Sequence, residues 1–448
     1  MFDNNSIIGF MHFKTFSDVV EYLDSFSYKD KSLSPGALRG ERLDRMRHIL
    51  KRIGNPEESF TSYHLAGSKG KGSTAAFLSS ALTVAGEKCG LYLSPHLVDY
   101  RERFTLSGKF FSDEEYIQCA EKLYSMMEGF TVPEGLGSES PSTFEMYTSY
   151  AYLLFKETGC TSAVIETGLG GRLDATNTLS SRVSILTPIE LEHTQILGST
   201  IEEIANEKAK IIKKNQLVFV SRQSEEARKV FISEAERQNS EIYFLFDELE
   251  DFSYQEKKDF TSCSAKFKDG TSYSLKLKMK GEVQAENALL AILVLKKLKL
   301  FKEKTIEALE NTTLPGRFEE VDYKSSRIVF DVAHTKRSME NTVNTFTSIY
   351  GENNVLIFSS LDGKDTLSML ELLIPHFEKV IISRPGVFKI SYPDKIYKMA
   401  KELSPEKNIL LIEDSSSALE EATANLGERS ILVTGSFYLA GAIKEVMV

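Results

Sequence analysis

One pattern repeats along the chain: a short apolar run, a turn rich in Gly, Ser or Asp, and then an amphipathic helical stretch. The apolar runs predict buried strands, and the first series of them is SYHLAG, TSAVIETG, VSILTPIE and QLVFVSR. A second series follows in SRIVFDVAH, NVLIFSSLDGKD, KVIISRPG, NILLIED and SILVTGS. This alternation predicts an α/β protein whose sheets are mostly parallel.

The segment between the two series has a different period. Residues 255–280 alternate polar and apolar positions, and Asp269–Gly270 suits a tight hairpin turn, so we expect a small antiparallel patch. The stretch VQAENALLAILVLKKLKL then predicts a helix, followed by a short helix and a connector. We place a domain boundary near residues 310–315, which gives predicted domains 1–312 and 313–448.

The stretch at 198–214, GSTIEEIANEKAKIIKK, predicts a helix with one residue on the wrong face. Ser199 or Thr200 suits the N-cap, because each is followed three residues later by a glutamate. Lys208 falls on the apolar arc that is formed by Ile201, Ile204, Ala205, Ile211 and Ile212. A charged lysine on a buried face is costly unless it is paired or extends along the helix to solvent.

Composition narrows the classes of function. The 448 residues are 42% hydrophobic and 26% charged, with 11 prolines, as in a folded globular protein. A net charge of −10 without a dense Lys/Arg block argues against a nucleic-acid-binding surface. The four cysteines are widely spaced and are expected to be reduced core thiols. The chain shows neither a signal-like start nor a continuous apolar span, so we expect a cytoplasmic protein that does not enter a membrane.

The sharpest local motif is HLAGSKGKGSTAAF, in which a glycine-rich turn lies between a strand and a helix that starts at Ser73–Thr74. Such a turn lets several backbone N–H groups face one anion, and Lys71 reaches toward a phosphate. The sequence departs from the common GxxxxGK[ST] pattern because Gly72 separates Lys71 from Ser73. A flexible turn without a ligand is the alternative.

Carboxylates also follow two predicted strands. Glu166 ends the strand in AVIETGLGGRLDATN, where it suits either a phosphate-bound magnesium ion or a structural salt bridge. Glu190, Glu192 and His193 follow the strand in VSILTPIELEHTQILG, and a lone loop histidine is either structural or a ligand. Weaker candidates are Ser94, His96, Arg101 and Arg103 in LYLSPHLVDYRERF, Asp331 and His334 in VFDVAH, and Arg317 in LPGRFE.

Together these stretches resemble the folylpolyglutamate synthase/dihydrofolate synthase branch of the Mur-type, ATP-dependent amide ligases. Nine stretches occur in the family's order between about residues 34 and 441: AGSKGKGST, SPHLVDYRERF, STFE, ETGLGGRLDATN, LEHTQILGSTIEEIANEKAKIIK, QAENA, LPGRFE, DVAH and TGSFYLAG. The resemblance implies an N-terminal P-loop ATP-binding domain and a smaller, Rossmann-like C-terminal domain.

The resemblance also implies a set of site residues. ATP would be bound by Gly67, Ser68, Gly70, Lys71, Gly72, Ser73, Asn287, Arg317, Asp331 and His334. Magnesium would be bound by Ser94, Glu166 and His193. The pterin substrate would lie near Arg42, Leu43, Phe144, Glu145, Leu173, Asp174 and Ala175, with Ser436 a candidate for the amino acid or the phosphates. The catalytic group would be Lys71, Lys208, His193 and Arg317.

For Lys208, the resemblance implies a lysine that reacts with carbon dioxide to form a carbamate. Only a neutral amine reacts in this way, and a partly desolvated lysine has the lowered pKa that this requires. The chain also departs from the family pattern. It has Lys69 where asparagine is usual, Glu192 where aspartate is usual, and DVAHTKR where DGAHNP is usual.

The implied reaction uses ATP and Mg²⁺ to add L-glutamate to dihydropteroate, to a reduced folate, or to both, through an acyl phosphate. The GGRLDA and STFE stretches with LRGERLDRMR favour a bifunctional enzyme that accepts dihydropteroate, and we expect a monomer. Two alternatives remain open: another Mur-type ligase of the cell-wall peptide class, and a P-loop ATP-binding regulator without ligase activity.

Overall fold

The computed structural model describes residues 12–26, 42–137, 140–386, 390–424 and 426–447. The backbone forms two compact units. The second unit comprises Ala76–Ala85, Pro95–Glu102 and the chain from Leu245 onward, and the first unit comprises the remainder. The described residues of the first unit form one sheet and those of the second unit form two, and the predicted α/β class is confirmed.

The described part of the first unit contains one seven-stranded sheet. Its strands are β1 (Thr61–Ala66), β2 (Cys89–Tyr92), β3 (Phe104–Leu106), β4 (Ser162–Glu166), β5 (Val183–Leu186), β6 (Leu217–Val220) and β7 (Glu241–Phe244), in the spatial order β3-β2-β4-β1-β5-β6-β7. Only the β2–β3 pair is antiparallel. The central strand β1 therefore lies between β4 and β5, and Leu65 is in register with both Glu166 and Ile185.

Helices connect these strands, as the amphipathic stretches predict. They are α1 (Phe16–Asp24), α2 (Arg42–Arg52), α3 (Lys71–Val84, which begins in the first unit), α4 (Asp113–Met127), α5 (Thr143–Glu157), α6 (Thr194–Leu197), α7 (Ile201–Ala209) and α8 (Glu225–Arg237). Thr200 caps α7, because its side chain accepts from Glu203 N while Glu203 bonds back to the Thr200 backbone. The predicted capping box is thus confirmed.

The helix ends earlier than its pattern predicts. It stops at Ala209, and Ile211 and Ile212 are buried in the turn that follows. Their N–H groups make short turn bonds to the carbonyls of Lys208 and Ala209, while the Ile211 carbonyl accepts from Ser184 Oγ. Apolar periodicity does not distinguish a further turn of α-helix from a non-helical turn whose side chains pack on the same core. The pattern therefore predicts a helix that is longer than the observed one.

In the second unit, a three-stranded antiparallel sheet, β10-β9-β8, confirms the predicted patch. It consists of β8 (Leu249–Glu256), β9 (Thr261–Phe267) and β10 (Ser272–Leu277). Gly270, with φ +86°, lies in the turn between β9 and β10 as predicted. The helices around this sheet are α9 (Leu245–Glu248), α10 (Glu282–Lys297) and α11 (Thr305–Asn311).

The larger sheet of the second unit has the order β11-β12-β16-β13-β14-β15 among the described residues. These strands are β11 (Glu319–Tyr323), β12 (Ser326–Phe330), β13 (Asn354–Phe358), β14 (Phe377–Ile382), β15 (Asn408–Leu411) and β16 (Ile431–Thr434). The helices are α12 (Lys336–Tyr350), α13 (Thr366–Leu373), α14 (Pro393–Leu403), α15 (Ser415–Thr423) and α16 (Phe437–Glu445). Alternate residues of the strands enter two separate apolar cores, so both faces of the sheet are covered.

Candidate active site

The segments that follow β4, β1 and β5 meet at one edge of the first unit's sheet. The glycine-rich turn follows β1, Glu166 ends β4, and residues 187–193 follow β5. Because these three strands are parallel neighbours, their carboxyl ends lie side by side. This is the edge at which ligands bind in open α/β sheets.

The turn after β1 is fixed by close contacts with the segment after β5. A Cβ on Gly67 would lie 1.9 Å from Thr187 Oγ1, so only glycine fits there. Ser68 N donates to the Pro188 carbonyl at 2.8 Å, and Ser68 Oγ donates to the Glu190 carbonyl at 3.1 Å. Both Ser68 groups are thus engaged in anchoring the turn.

The other half of the turn leads into α3. Gly70 has φ +80°, and its carbonyl accepts the bond from Thr74 N. The N–H groups of Lys71, Gly72 and Ser73 belong to the first turn of α3, where helical geometry offers no acceptor within the helix. Together with the helix dipole, these N–H groups form a site suited to an anion.

Lys71 lies between the turn and the end of β4. Its Nζ donates to the Gly67 carbonyl at 3.0 Å and lies 3.7 Å from Glu166 Oε1. The other carboxylate oxygen of Glu166 accepts from Ser94 N at 3.2 Å. The predicted residues Lys71, Glu166 and Ser94 are therefore brought together.

Lys208 is buried, with 2% of its surface exposed, and it reaches the same turn from α7. Its Nζ donates to the Gly67 carbonyl at 2.8 Å and to Glu192 Oε1 at 3.0 Å. Burial and the nearby charge of Lys71 lower the pKa of Lys208 to about 8, although Glu192 opposes this shift. The lysine on the apolar arc is thus inside the protein and ion-paired, rather than extended to solvent.

Glu192 is the carboxylate shared by the lysines of this site. Burial raises the pKa of Glu192, but the charges of Lys208, Lys71 and Lys69 outweigh burial and lower it to about 2. Lys69 Nζ lies 4.0 Å from Glu192 Oε2. Glu192 is therefore anionic at neutral pH, and three ammonium groups surround it.

The glycine-rich segment after β4 packs on the backbone of α7. A Cβ on Gly171 would lie 2.8 Å from the Glu207 carbonyl and 3.0 Å from Lys208 Cα. Arg172 N donates to that same Glu207 carbonyl at 2.8 Å. Gly171 therefore allows the close approach that holds the Lys208 backbone near the end of β4.

His193 is placed differently from the other predicted metal ligands. It has a left-handed backbone conformation, φ +48°, precedes α6, and its side chain is exposed. Glu166 offers a carboxylate oxygen of the kind that magnesium prefers, and the backbone N–H of Ser94, whose side chain carries a hydroxyl, lies beside it. This donor set fits magnesium with several retained waters.

The predicted pterin-binding residues Phe144 and Glu145 lie in the first turn of α5. A Cβ on Gly168 would lie 2.4 Å from the Phe144 ring, so the ring packs directly on the backbone after β4. Glu145 is buried and closes the capping box with Ser142. It also accepts from Arg45 Nε at 2.9 and 3.0 Å. The ion pair between Arg45 and Glu145 thus links α2 to α5.

The other predicted pterin-binding residues lie on neighbouring elements of the first unit. Arg42 and Leu43 are the first residues of α2, and both are partly exposed. Leu173, Asp174 and Ala175 lie in the segment that follows β4. Asp174 is 5% exposed, and it accepts from Leu169 N at 2.8 Å and from Thr176 N at 3.0 Å. Burial raises the pKa of Asp174, although these hydrogen bonds oppose the shift.

In the second unit, Asp331 and Arg317 lie at the carboxyl end of β12. Asp331 accepts from Phe318 N and Ala333 N, both at 3.0 Å, and burial raises its pKa, with the Arg317 charge opposing the shift. The Arg317 guanidinium lies 4.9 Å from the centre of the Phe437 ring. His334 Nδ1 lies 2.9 Å from the Val332 carbonyl, and its ring centre lies 6.2 Å from that of Phe437.

The remaining two predicted residues of this unit are buried. Ser436 precedes Phe437 and caps α16, and Gly435 N bonds to the Ala333 carbonyl, so the end of β16 adjoins the end of β12. Arg317, Asp331, His334 and Ser436 are therefore brought together. Asn287 lies on α10, where its Nδ2 donates to Gln284 Oε1 at 3.2 Å.

Comparison with known proteins gives this arrangement a family. The Mur ligase middle domain matches residues 65–295, and the Mur ligase glutamate ligase domain matches residues 316–437. The dihydrofolate synthase/folylpolyglutamate synthase of Bacillus subtilis is 31% identical over 438 residues, which covers 95% of this chain and 98% of that protein. The chain belongs to the Mur ligase family.

Solved structures agree with that membership. The folylpolyglutamate synthase of Thermotoga maritima is 31% identical, with a TM-score of 0.80 over 96% of both chains. Escherichia coli FolC, solved in complex with DHPP and ADP, is 26% identical, with a TM-score of 0.79 over 97% of both chains. The family that the sequence motifs indicate, and the fold expected from it, are confirmed.

The departure of this Mur ligase from DGAHNP has a local physical explanation. Val332 is 4% exposed and packs in the core beside Gly316, where a Cβ would lie 2.9 Å from the valine Cγ1. Thr335 caps α12 and forms a capping box with Ser338. The replaced residues thus contribute to packing and to helix capping.

Sequence reasoning missed three contacts of this Mur ligase: Arg45 with Glu145, Glu192 with Lys208, and His64 with Thr176. Arg45 gives the same signal as Lys208, because it is a charged residue on the buried face of a helix, beside Met46 and Ile49. Glu192 stands out only as a carboxylate after a strand, and nothing in the sequence pairs it with Lys208. His64 and its partner Thr176 are hidden in a strand and a short turn, and no sequence spacing connects them.

Proposed function

We propose that this Mur-type chain is an ATP-dependent ligase that adds L-glutamate to dihydropteroate, to the γ-carboxylate of a reduced folate, or to both. One observation carries the proposal. Lys71, Glu166 and Lys208 converge on the glycine-rich turn. The chain that carries them aligns over 95% of its length with a dihydrofolate synthase/folylpolyglutamate synthase. The complex of the related FolC with DHPP and ADP supports the assignment of a pterin and a nucleotide as ligands of this chain.

The proposed chemistry activates a carboxylate for attack by an amine. The substrate carboxylate takes the γ-phosphoryl group of ATP, giving an acyl phosphate and ADP; the amine of glutamate then attacks and phosphate leaves. The protein positions the reactants and neutralises charge that moves between phosphate oxygens. We assign this electrostatic role to Lys71, to the first turn of α3 and to Arg317, with Gly67, Ser68, Gly70, Gly72, Ser73, Asn287, Asp331 and His334 in the ATP site.

We assign magnesium binding to Ser94, Glu166 and His193. Bound magnesium would neutralise charge on the phosphates. The hydrogen bond from Ser94 N to Glu166 supports this assignment, because it brings a residue that carries a hydroxyl next to a carboxylate, and both groups suit a hard cation. Lys71 lies 3.7 Å from Glu166, so one carboxylate faces both the turn and the proposed metal position.

We propose further that Lys208 is carboxylated on Nζ in the active enzyme. Its neutral amine would attack carbon dioxide, forming an N–C bond and releasing a proton, and the product is an anion on a long arm. A pKa near 8 leaves about half of the amines neutral at pH 8, whereas an ordinary lysine is almost fully charged there. Lys71 supplies positive charge beside the modified group.

The pterin is assigned to the first unit, near Arg42, Leu43, Phe144, Glu145, Leu173, Asp174 and Ala175. Phe144 offers an aromatic face, and Asp174 offers a carboxylate for ring N–H groups. Ser436 is assigned to the incoming amino acid or the phosphates.

Family matches that end at 295 and begin at 316 support a domain boundary near 312. A monomeric state and a cytoplasmic location complete the proposal, and none of the helices in the described residues is long and apolar enough to cross a membrane.

A coupled ADP-release assay tests the function. The purified chain is given ATP, magnesium and L-glutamate, with dihydropteroate in one reaction and a reduced folate in another. We expect ADP release that requires both the pterin and glutamate, and the pterin that stimulates it identifies the activity. A regulator would show no stimulation by either pterin, and a cell-wall-type ligase would respond only to a nucleotide-sugar peptide.

A further inference from the structure

His64 is a fully buried histidine in the central strand β1. Burial, reinforced by the charge of Lys213, lowers the pKa of His64 to about 3, so the ring is neutral at physiological pH. Its Nε2 lies 2.8 Å from Thr176 Oγ1. Thr176 is also fully buried, in the 3₁₀ turn Ala175–Thr178.

The direction of the hydrogen bonds follows from the groups present. Thr176 Oγ1 lies 2.5 Å from Asp174 Oδ1 and donates its single proton to that carboxylate. The hydroxyl oxygen must therefore accept from His64, which assigns the ring proton to Nε2. A chain of donors thus runs from His64 through Thr176 to Asp174.

The other ring nitrogen of His64 suggests why a histidine stands here. Among the described residues, His64 Nδ1 is a buried atom without a hydrogen-bond partner. A buried, unsatisfied nitrogen lowers stability, and an apolar side chain of similar size would avoid that cost. What the histidine supplies instead is a donor that points at Thr176.

Asp174 is held on both of its oxygens by this arrangement. Leu169 N donates to Oδ2, while Thr176 donates to Oδ1 through both N and Oγ1. These three donors, together with a backbone hydrogen bond from Gly168, hold the carboxylate in one orientation toward a ligand with ring N–H groups. Without His64, the Thr176 hydroxyl loses the donor that holds its oxygen, and only its own bond to Asp174 then fixes its orientation.

We propose that His64 is a positioning residue for the pterin substrate, acting through Thr176 to fix the carboxylate of Asp174. The proposal rests on the proposed function, which assigns Asp174 to the pterin. His64 itself does not touch the substrate. Its effect is therefore on the orientation of a binding group and not on ATP or on proton transfer.

A matched pair of substitutions tests the proposal. His64→Gln places an amide N–H near the position of Nε2, whereas His64→Met has a similar length without a donor. We expect His64→Met to raise the KM for dihydropteroate about tenfold, because the variant loses the hydrogen bond to Thr176, and Thr176 in turn bonds to the charged Asp174. The KM for ATP stays within about twofold, and His64→Gln retains most of the native pterin KM.

Thr176→Ser and Thr176→Val form a second pair, which covers the case in which a His64 variant does not fold. The serine keeps the hydroxyl and the native pterin KM; the valine repeats the effect of His64→Met. Each variant is checked by circular dichroism and thermal melting. A rise in the ATP and pterin KM values together, or equal values for Gln and Met at position 64, overturns the proposal.

Asp174→Ala separates this proposal from the proposed function. We expect that variant to raise the pterin KM, with His64→Met adding nothing further in the double variant. If Asp174→Ala raises the KM but His64→Met does not, only the positioning role is wrong. If Asp174→Ala leaves the pterin KM unchanged, the assignment of Asp174 and the role of His64 are both wrong.

Discussion

Lys208 Nζ lies 3.0 Å from Glu192 Oε1, and both side chains are largely removed from solvent. The same ammonium donates to the Gly67 carbonyl, which also accepts from Lys71. Two lysines from different helices are thereby fixed to the first residue of the glycine-rich turn. The lysine on the apolar arc of α7 is thus held at the glycine-rich turn to which we assign the phosphates of ATP.

Replacing Lys208 by alanine removes this group and leaves Glu192 without its nearest cation. We expect turnover to fall by at least about a hundredfold and to recover in part with acetate, because the proposed carbamate acts as an extended carboxylate. Lys210→Ala is the matched control, since Lys210 follows the same helix and pairs with Glu234. If acetate raises the turnover of the control variant as well, or does not raise the turnover of the Lys208 variant, the carbamate proposal is wrong.

The reactivity of Lys208 is also expected to depend on pH. Only the neutral amine reacts with carbon dioxide, and the neutral fraction rises as the pH passes through the lowered pKa of about 8. With ¹³C-labelled carbon dioxide, we expect a carbamate signal that grows between pH 7 and pH 9 and is absent from Lys208→Ala. A signal that grows only near the ordinary lysine pKa of about 10.4 would contradict the effect of burial.

Lys71→Ala removes a point charge at the proposed phosphate site but leaves the glycine backbone of the turn. We expect turnover to fall by a factor of about 100 to 1,000, as for the loss of one preorganised electrostatic contact. The loss of turnover should be much larger than any loss of thermal stability that comes from leaving Glu166 without this cation. Turnover close to that of the native chain would show that Lys71 does not serve the phosphates.

Glu166→Gln keeps the shape of the side chain and removes its charge. We expect half-maximal activity to need about tenfold more magnesium, since a neutral amide is a weaker ligand for a hard cation. Titration with magnesium at saturating ATP measures this shift. An unchanged magnesium requirement would make Glu166 a structural partner of Lys71 and Ser94.

Arg45 and Glu145 form a buried ion pair that we expect to stabilise the first unit. Arg45→Met leaves the Glu145 carboxylate buried without its cation, which costs about 3 kcal/mol. Arg47→Met, on the same helix, breaks only the exposed pair with Asp44 and costs less than about 1 kcal/mol. Chemical unfolding compares the two variants, and equal losses would contradict the importance of burial.

Most of the fold follows from the sequence because its signals are local. Buried strands, capping residues and the Asp269–Gly270 turn depend on neighbours in the chain, and the structure confirms them. The predicted end of α7 is wrong because Ile211 and Ile212 pack in the same core from a turn as they would from a longer helix. Tertiary packing, and not helix periodicity, determines that boundary.

The site follows from the sequence only in part. Lys208 is identified because its helix makes a lysine on the apolar face conspicuous. Its partner Glu192 is sixteen positions away on another segment, and its contact with the Gly67 turn appears only when β1 and β5 are paired. The contact between His64 and Thr176 joins residues 112 positions apart and has no sequence signal. Such pairings depend on the order of strands in the sheet.

Transfer of labelled oxygen tests the central claim most directly. Dihydropteroate that carries ¹⁸O in both carboxylate oxygens is incubated with the chain, ATP, magnesium and L-glutamate, and the released phosphate is analysed by mass spectrometry. An acyl phosphate transfers one labelled oxygen to phosphate for each amide bond formed, and the other stays in the product. We predict one ¹⁸O per phosphate; amide formation with unlabelled phosphate, or phosphate release without amide formation, would contradict the account.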